Sequence, residues 1–270
     1  AAPVPRLGLL AAKYVAVVTV ALLTASANLL AMTITLVTTG LGKVLFGEAG
    51  LSPLVLVEVL ALLVLFAGFF SAVLLALTSF ARSFKEAQAY LIPVMLLSLA
   101  PGLISLMPGV EFNGLLAVTP LINIVLLARS LFDGTADPTL ATVAVLTTAL
   151  YALAAIGLAA RVFGTDAILY GSEASWSDLF RRPAGAPLVP SVSGAMLCLA
   201  LLFPCYFLVA GTLARMPYDS PSTLLVFNGV ATAVLFGGFP AAAAIVQRLP
   251  LREPFRLKAA RPLAWAGAVL

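Results

Sequence analysis

The chemistry open to this chain is narrow. It contains no histidine, which removes Ser-His nucleophiles, His-ligated metals and HExxH proteolysis. The nearest thing to a phosphate-binding loop is TTGLGKVLFG. There Gly42 and Lys43 lack the glycine required earlier in the loop, where Val37 stands, and the following Ser or Thr, where Val44 stands, so it is an interhelical loop and no nucleotide site. Cys198 and Cys205 flank Pro204 seven residues apart. A helix rising about 1.5 Å per residue puts them about 10 Å apart, beyond the ~7 Å that a disulfide spans, and they read as buried thiols. What remains is polar groups inside apolar runs. Glu58, soon after Pro53, is the acidic residue well inside a span. An intramembrane carboxylate is a functional hypothesis by default, so Glu58 is a candidate polar site for a substrate or cation, or else a side chain snorkelling to a nearby interface. Asn28, Asn123 and Asn228 suit hydrogen bonding between helices.

The elements that position these groups follow from composition. Of the 270 residues 62% are hydrophobic and 10% charged, and the mean hydropathy is +1.13. Soluble chains are about 45–50% apolar and about 25% charged, so the outside of this protein must also be apolar and face a lipid bilayer. The net charge of +4 is scattered in short clusters, which excludes a nucleic-acid partner. A bilayer core takes about 20 helical residues, and Tyr14–Thr39, Pro53–Phe80, Pro138–Phe163, Ser191–Leu213 and Ser222–Gln247 reach that length. Between the second and third lie Ala87–Met107, with Pro93 and Pro101, and Leu115–Leu131, with Pro120 and Asn123. Proline breaks survive at membrane depth only where protein or a wet cavity covers them. We read the first piece as a crossing and the second as a re-entrant hairpin.

Charge decides the orientation. With the N-terminus inside, twelve Lys and Arg residues lie inside and three, Lys43, Arg129 and Arg215, lie outside. This positive-inside bias arises only if Ala87–Met107 crosses and Leu115–Leu131 does not. The fold class expected is an all-α polytopic transmembrane bundle with about six full spans, an outer re-entrant hairpin and a truncated last span, multi-pass in the cell (inner or plasma) membrane. Residues 171–190 carry Glu173, Asp178, Arg181 and Arg182 and end in RRPAGAPLVP, a cytoplasmic linker by composition. The stretch LREPFRLKAARP suits the anionic inner leaflet or serves as a plain positive-inside anchor. No signal peptide precedes Tyr14 and the apolar segment from Pro262 stops short, so the chain reads as an internal piece of a longer one. The inner loop ARSFKEAQAY joins two spans; it is a solvated turn or a place where a partner could push on both helices.

At that loop the sequence acquires a family likeness. SFARSFKEAQAY before a proline-containing span, then LMPGVEFNG, TPLINIVLLARSLFDG and a span ending AARVFGTDAIL, resembles the second half of a type 2 ABC export permease of the NatB-like sodium-efflux branch. The opening APVPRLGLLAAKYVAVV resembles the coupling stretch of that family, with Pro3, Arg6 and Lys13 in matching positions and Ala12 where glycine is usual. The resemblance covers residues 1–170. It implies that the chain itself binds no cofactor, that ATP is used by a separate ABC ATP-binding subunit, and that a second permease copy or half completes the pore. Arg6, Lys13, Arg82, Lys85 and Glu86 become candidates for the face meeting the ATPase subunit, and Pro108, Gly109, Asn113, Pro120 and Asn123 fall in the outer re-entrant hairpin. Residues 191–270 resemble the first helices of a CPBP-type intramembrane protease. The Glu-Glu pair and histidines which that family needs are missing, so no catalytic or metal residue carries over and the chain is expected to be no enzyme.

Two rival classes remain open at this level: a non-catalytic part of a membrane protease or scaffold, and an ion-coupled secondary transporter, which broken helices also allow. The orientation has a direct check. A cysteine placed at Asn113 reacts with an impermeant maleimide in intact cells, and one at Ser83 reacts only after permeabilisation; the reverse pattern overturns the topology.

Overall fold

In hydrocarbon a backbone can satisfy its own polar groups only as helix or closed barrel, and this chain is helical. The computed structural model describes residues 6–46, 52–81, 83–163, 191–217, 220–246 and 249, with backbone alone at 6, 7, 43, 45, 46, 161–163 and 246. Its helices are α1 (Arg6–Thr38), α2 (Leu41–Phe46), α3 (Pro53–Thr78), α4 (Phe84–Leu106), α5 (Gly114–Val118), α6 (Ile122–Phe132), α7 (Pro138–Phe163), α8 (Val192–Leu213), α9 (Pro221–Ala233) and α10 (Phe239–Val246). No strand occurs among the described residues. Among the described residues six helical stretches are long and apolar enough to cross a membrane, the last running through α9 and α10 as Pro221–Ile245. The protein is an all-α, polytopic membrane bundle.

The two expectations that depended on proline come out differently from each other. Pro93 and Pro101 sit inside α4, which runs on through both as one 23-residue helix. Around Pro120 the chain breaks instead, leaving α5 at 5 residues and α6 at 11, each too short to cross. The expected linker, residues 171–190, and the basic stretch from Leu251 lie outside the described residues. Between α9 and α10 a π turn covers Val234–Gly238. Pro240 has no N–H for the carbonyl of Phe236 and its ring would crowd that oxygen. The widened turn at Gly237 and Gly238 absorbs both effects.

Lipid is as apolar as leucine, so the ~1.5–3 kcal/mol gained by taking a Leu out of water does not choose among these interfaces; close packing does. Ala72, Ala144 and Ala159 are fully buried. At one end of the bundle Leu10 of α1 packs with Leu75 and Ala76 of α3 and Ala159 of α7, and Tyr14 donates its hydroxyl to the Gly68 carbonyl at 3.0 Å. Nearer the other end Leu62 of α3 meets Ile124 and Leu127 of α6 and Ala144 of α7. Helix α8 lies along α7: a Cβ on Gly157 would stand 3.2 Å from the Ser193 backbone, while Phe203, Phe207 and Leu208 cover Ala117, Val118 and Val143. Residues after the linker thus share a core with α5 and α7.

Replacing Gly157 by Leu forces α7 and α8 apart and is expected to cost about 1–3 kcal/mol, the usual price of overpacking, read as a lower unfolding midpoint in detergent. Gly211→Leu, where a Cβ meets nothing, leaves that midpoint unchanged.

Candidate functional site

The break between α5 and α6 is where this chain departs furthest from simple spans. Asn113 starts α5 by accepting the Leu116 N–H at 3.1 Å, and the turn before it contains exposed Pro108 and Gly109, the latter at φ +81°. From Gly114, opposite Phe207, the chain descends along α7 to the level of Tyr151. Thr119, Pro120 and Leu121 turn it, and α6 returns past Ala144 and Ala141. Leu121 has φ 68° and ψ −50°, a γ-turn conformation that costs a residue with a Cβ about 1–3 kcal/mol. It persists because its surroundings fix it.

Those surroundings answer the question posed by any helix end in hydrocarbon, namely where the last four carbonyls go. The Leu115 carbonyl accepts the Thr119 hydroxyl at 2.8 Å, and that of Leu116 accepts the Thr119 N–H. The Ala117 carbonyl accepts from Asn123 Nδ2 and Thr147 Oγ1, both at 3.3 Å. The Val118 carbonyl accepts the Tyr151 hydroxyl at 2.8 Å. Asn123 is 0% exposed; its Nδ2 also reaches the Ala144 carbonyl at 3.2 Å and Thr148 Oγ1 at 2.8 Å, and its Oδ1 accepts the Ile124 N–H at 2.9 Å. One amide therefore joins α5, α6 and α7.

Where α6 ends, a cavity of about 370 Å3 opens between the Val110–Phe112 segment and the start of α7. Glu111, Arg129, Ser130, Asp133 and Asp137 line it, with Leu126 beneath. Arg129 is committed: it donates to the Ser105 carbonyl at 2.7 Å, tying α6 to the end of α4, and faces Asp133 at 3.5 Å. Asp137 caps α7 by accepting the Thr139 and Leu140 N–H groups at 2.7 and 3.1 Å. Those bonds, Leu140 first, hold its carboxyl below the usual aspartate range.

At the opposite end the turn from α3 to α4 carries the proposed coupling residues. Ser83 caps α4 by accepting the Glu86 N–H at 3.2 Å, and Glu86 accepts the Tyr90 hydroxyl at 2.6 Å. The run Ser-Phe-Lys-Glu is thus a capping-box sequence, with Ser83 making the cap and the Glu86 carboxylate held by Tyr90 one turn on. Lys85 is exposed, as is Phe84 at 77%. Lys13 lies one turn beyond Leu10 at this same end. Arg6 opens α1 by its backbone; its side chain, and Arg82 altogether, lie outside the described residues. Glu58 is half-buried in α3, one turn before Leu62, and makes no hydrogen bond or ion pair among the described residues. The bundle therefore holds the hairpin residues together at one end and Lys13, Lys85 and Glu86 at the other. Sequence reasoning found Asn123 but missed its partners Thr147 and Thr148, and Tyr151 on the Val118 carbonyl, whose signal was the polar run TTALY inside an apolar span. Cys198 and Cys205 are free thiols. No group of acidic or sulfur side chains among the described residues could hold a metal ion. No family model, curated protein or solved structure matches the chain.

Asn123→Leu is expected to destabilise the bundle by about 1–3 kcal/mol, since it strips buried carbonyls of donors, and Tyr151→Phe by about 0.6–2 kcal/mol. Steric trapping or SDS titration in micelles measures both. The Asp137 cap acts above the ordinary aspartate pKa and is lost as pH falls through its depressed one. Asp137→Ala is therefore less stable than the parent at neutral pH, and the difference closes in acid below the usual carboxylate range.

Proposed function

We propose that this chain is the membrane-spanning permease subunit of an exporter driven by a separate ATP-binding subunit. The observation that carries the proposal is mechanical. Helices α3 and α4 share the short turn at Ser83–Glu86 at one end of the bundle, and at the other end both hold the hairpin: α3 through Leu62 on Ile124 and Leu127, α4 through the Ser105 carbonyl on Arg129. A push on the turn reaches α6 through two packed helices and closes or opens the space beside it. The turn suits a partner protein, with an exposed aromatic, Phe84, next to an exposed cation, Lys85. By the charge bias this end faces the cytoplasm, where ATP is.

The ordered run of motifs from ARSFKEAQAY to TPLINIVLLARSLFDG supports the same reading, as does the failed phosphate loop, which leaves ATP to the partner. Sodium or drug efflux is the finer form of the proposal, with Glu58 and the acid-lined cavity as the polar groups along an exit route. The chain needs no bound cofactor in this scheme. Its residues position helices; the partner hydrolyses.

The test uses the chain in its native membrane. Detergent extracts captured through the chain are expected to contain ATPase activity. Lys85→Glu is expected to remove most of it while the chain accumulates normally, and Glu86→Gln to lower chain stability instead. An extract without ATPase activity, or one whose activity is unmoved by Lys85→Glu, overturns the proposal.

A further inference from the structure

The span Pro221–Ile245 is built in two pieces that are held differently. No residue of α9 is buried, whereas in α10 Ala244 is buried and its carbonyl accepts the Leu249 N–H at 2.9 Å. The pieces meet at the π turn over Val234–Gly238. By the charge bias α9 is the outer piece and α10 the inner one.

Pro240 accounts for a break in the helix here, but not for two glycines in front of it. Neither Gly237 nor Gly238 has a positive φ, and a Cβ on either would meet nothing within 4 Å. Neither backbone conformation nor packing asks for glycine, in contrast to Gly157, whose Cβ would crowd α8. What the pair supplies is backbone freedom, at a cost in helix stability relative to alanine. A ring contact reaches the turn from outside: Tyr206 of α8, two residues past Pro204, meets the ring of Phe236 edge-on, with centroids 5.3 Å apart and planes at 72°. Lipid replaces the leucine contacts of α9 at little cost, so a directional ring contact weighs heavily in where α9 lies.

We propose that Gly237 and Gly238 form a hinge on which α9 swings away from α8 while α10 stays seated, with the Tyr206–Phe236 edge contact as its catch. Phe236 stands on the α9 side of the two glycines, so the catch opens when α9 leaves. Helix α8 does not follow, because Phe203, Phe207 and Leu208 on its other flank hold it against Ala117, Val118 and Val143. The swing opens a lateral slot between α8 and α9 toward the outer leaflet. A π turn is suited to this, since it already interrupts the α ladder at the point where the helix must bend. The hinge rests on the helical architecture and is independent of the transport proposal.

Distances between pairs of nitroxide labels, read by double electron–electron resonance, test it in the full chain carrying Cys198→Ser and Cys205→Ser in lipid nanodiscs. One pair joins Leu225→Cys on α9 to Leu153→Cys on α7, and the other joins Ile245→Cys on α10 to the same Leu153→Cys; all three positions are exposed. The Leu225 pair is expected to give two distance populations and the Ile245 pair one. Gly237→Ala with Gly238→Ala stiffens the turn and is expected to leave the Leu225 pair a single population, as is deletion of Gly238, which returns the turn to α register. Phe236→Ala is expected to raise the ratio of swung to docked α9 roughly two- to twelvefold, the range set by an aromatic pair. The proposal is overturned by a single population at Leu225 in the parent chain, by two populations that persist in both glycine variants, by an Ile245 pair as broad as the Leu225 pair, or by a ratio that Phe236→Ala leaves unchanged.

Discussion

A carbonyl released by a helix break in hydrocarbon has no water to turn to, and this bundle is organised around meeting that one requirement between Leu115 and Val118. Thr119 serves two of the freed carbonyls from within the turn. The other two are reached by Asn123 and, from α7, by Tyr151, while Thr147 stands at 3.3 Å from the Ala117 carbonyl with its hydroxyl closer to Val143 of its own helix, at 2.7 Å. This fixes the depth of the hairpin along α7, because sliding α5 by a turn would strand Val118 away from Tyr151. It also holds Leu121 at its positive φ. The apolar contacts then follow, with Leu62, Ile124, Leu127 and Ala144 filling the space that the fixed hairpin leaves.

Spans were legible in the sequence because length and hydropathy are all that a crossing needs; the helices begin and end within a few residues of the apolar runs, except that α1 starts at Arg6, well before Tyr14, and α4 continues through its prolines as expected. Asn123 was legible as an unusual residue in an apolar run. Its role as an interhelical hydrogen-bonder was legible too; its partners were not, since the hydrogen bonds from Asn123 to Thr147 and Thr148 link residues 24 and 25 positions apart, and nothing local encodes such a pairing. The strain at Leu121 was equally hidden, for Pro120 restricts the residues around it without forcing a left-handed neighbour. Around Glu86 a local signal was legible as well: Ser83, three residues before it, caps α4 by accepting its N–H.

Asn123 in the hairpin and Asn28 on α1 obey the same physics with opposite outcomes. Asn123 has its whole inventory of donors and acceptors met inside one chain, and it is buried accordingly. Asn28, on a helix whose threonines have all turned their hydroxyls inward on the backbone, is left half satisfied on an exposed face. A polar group in hydrocarbon is either closed off locally or it recruits. The threonine pattern shows that local closure was open to short side chains at this depth, and the longer amide at position 28 closes one of its two ends, on the Thr24 carbonyl.

Rigidity at the hairpin constrains how any transport cycle could run. With both ends of the break locked to α7, the hairpin and α7 move as one body, and relative motion must occur along surfaces held by fewer polar ties. The α4–α6 contact is such a surface: its polar link is the bond from Arg129 to the Ser105 carbonyl, at the rim of the cavity. Arg129 already lines the cavity and stands 3.5 Å from Asp133, so its bond to the Ser105 carbonyl ties the end of α4 to a charged pair at the cavity rim. A shift of α4 against α6 would strain that tie first, without any change in the core that Asn123 holds.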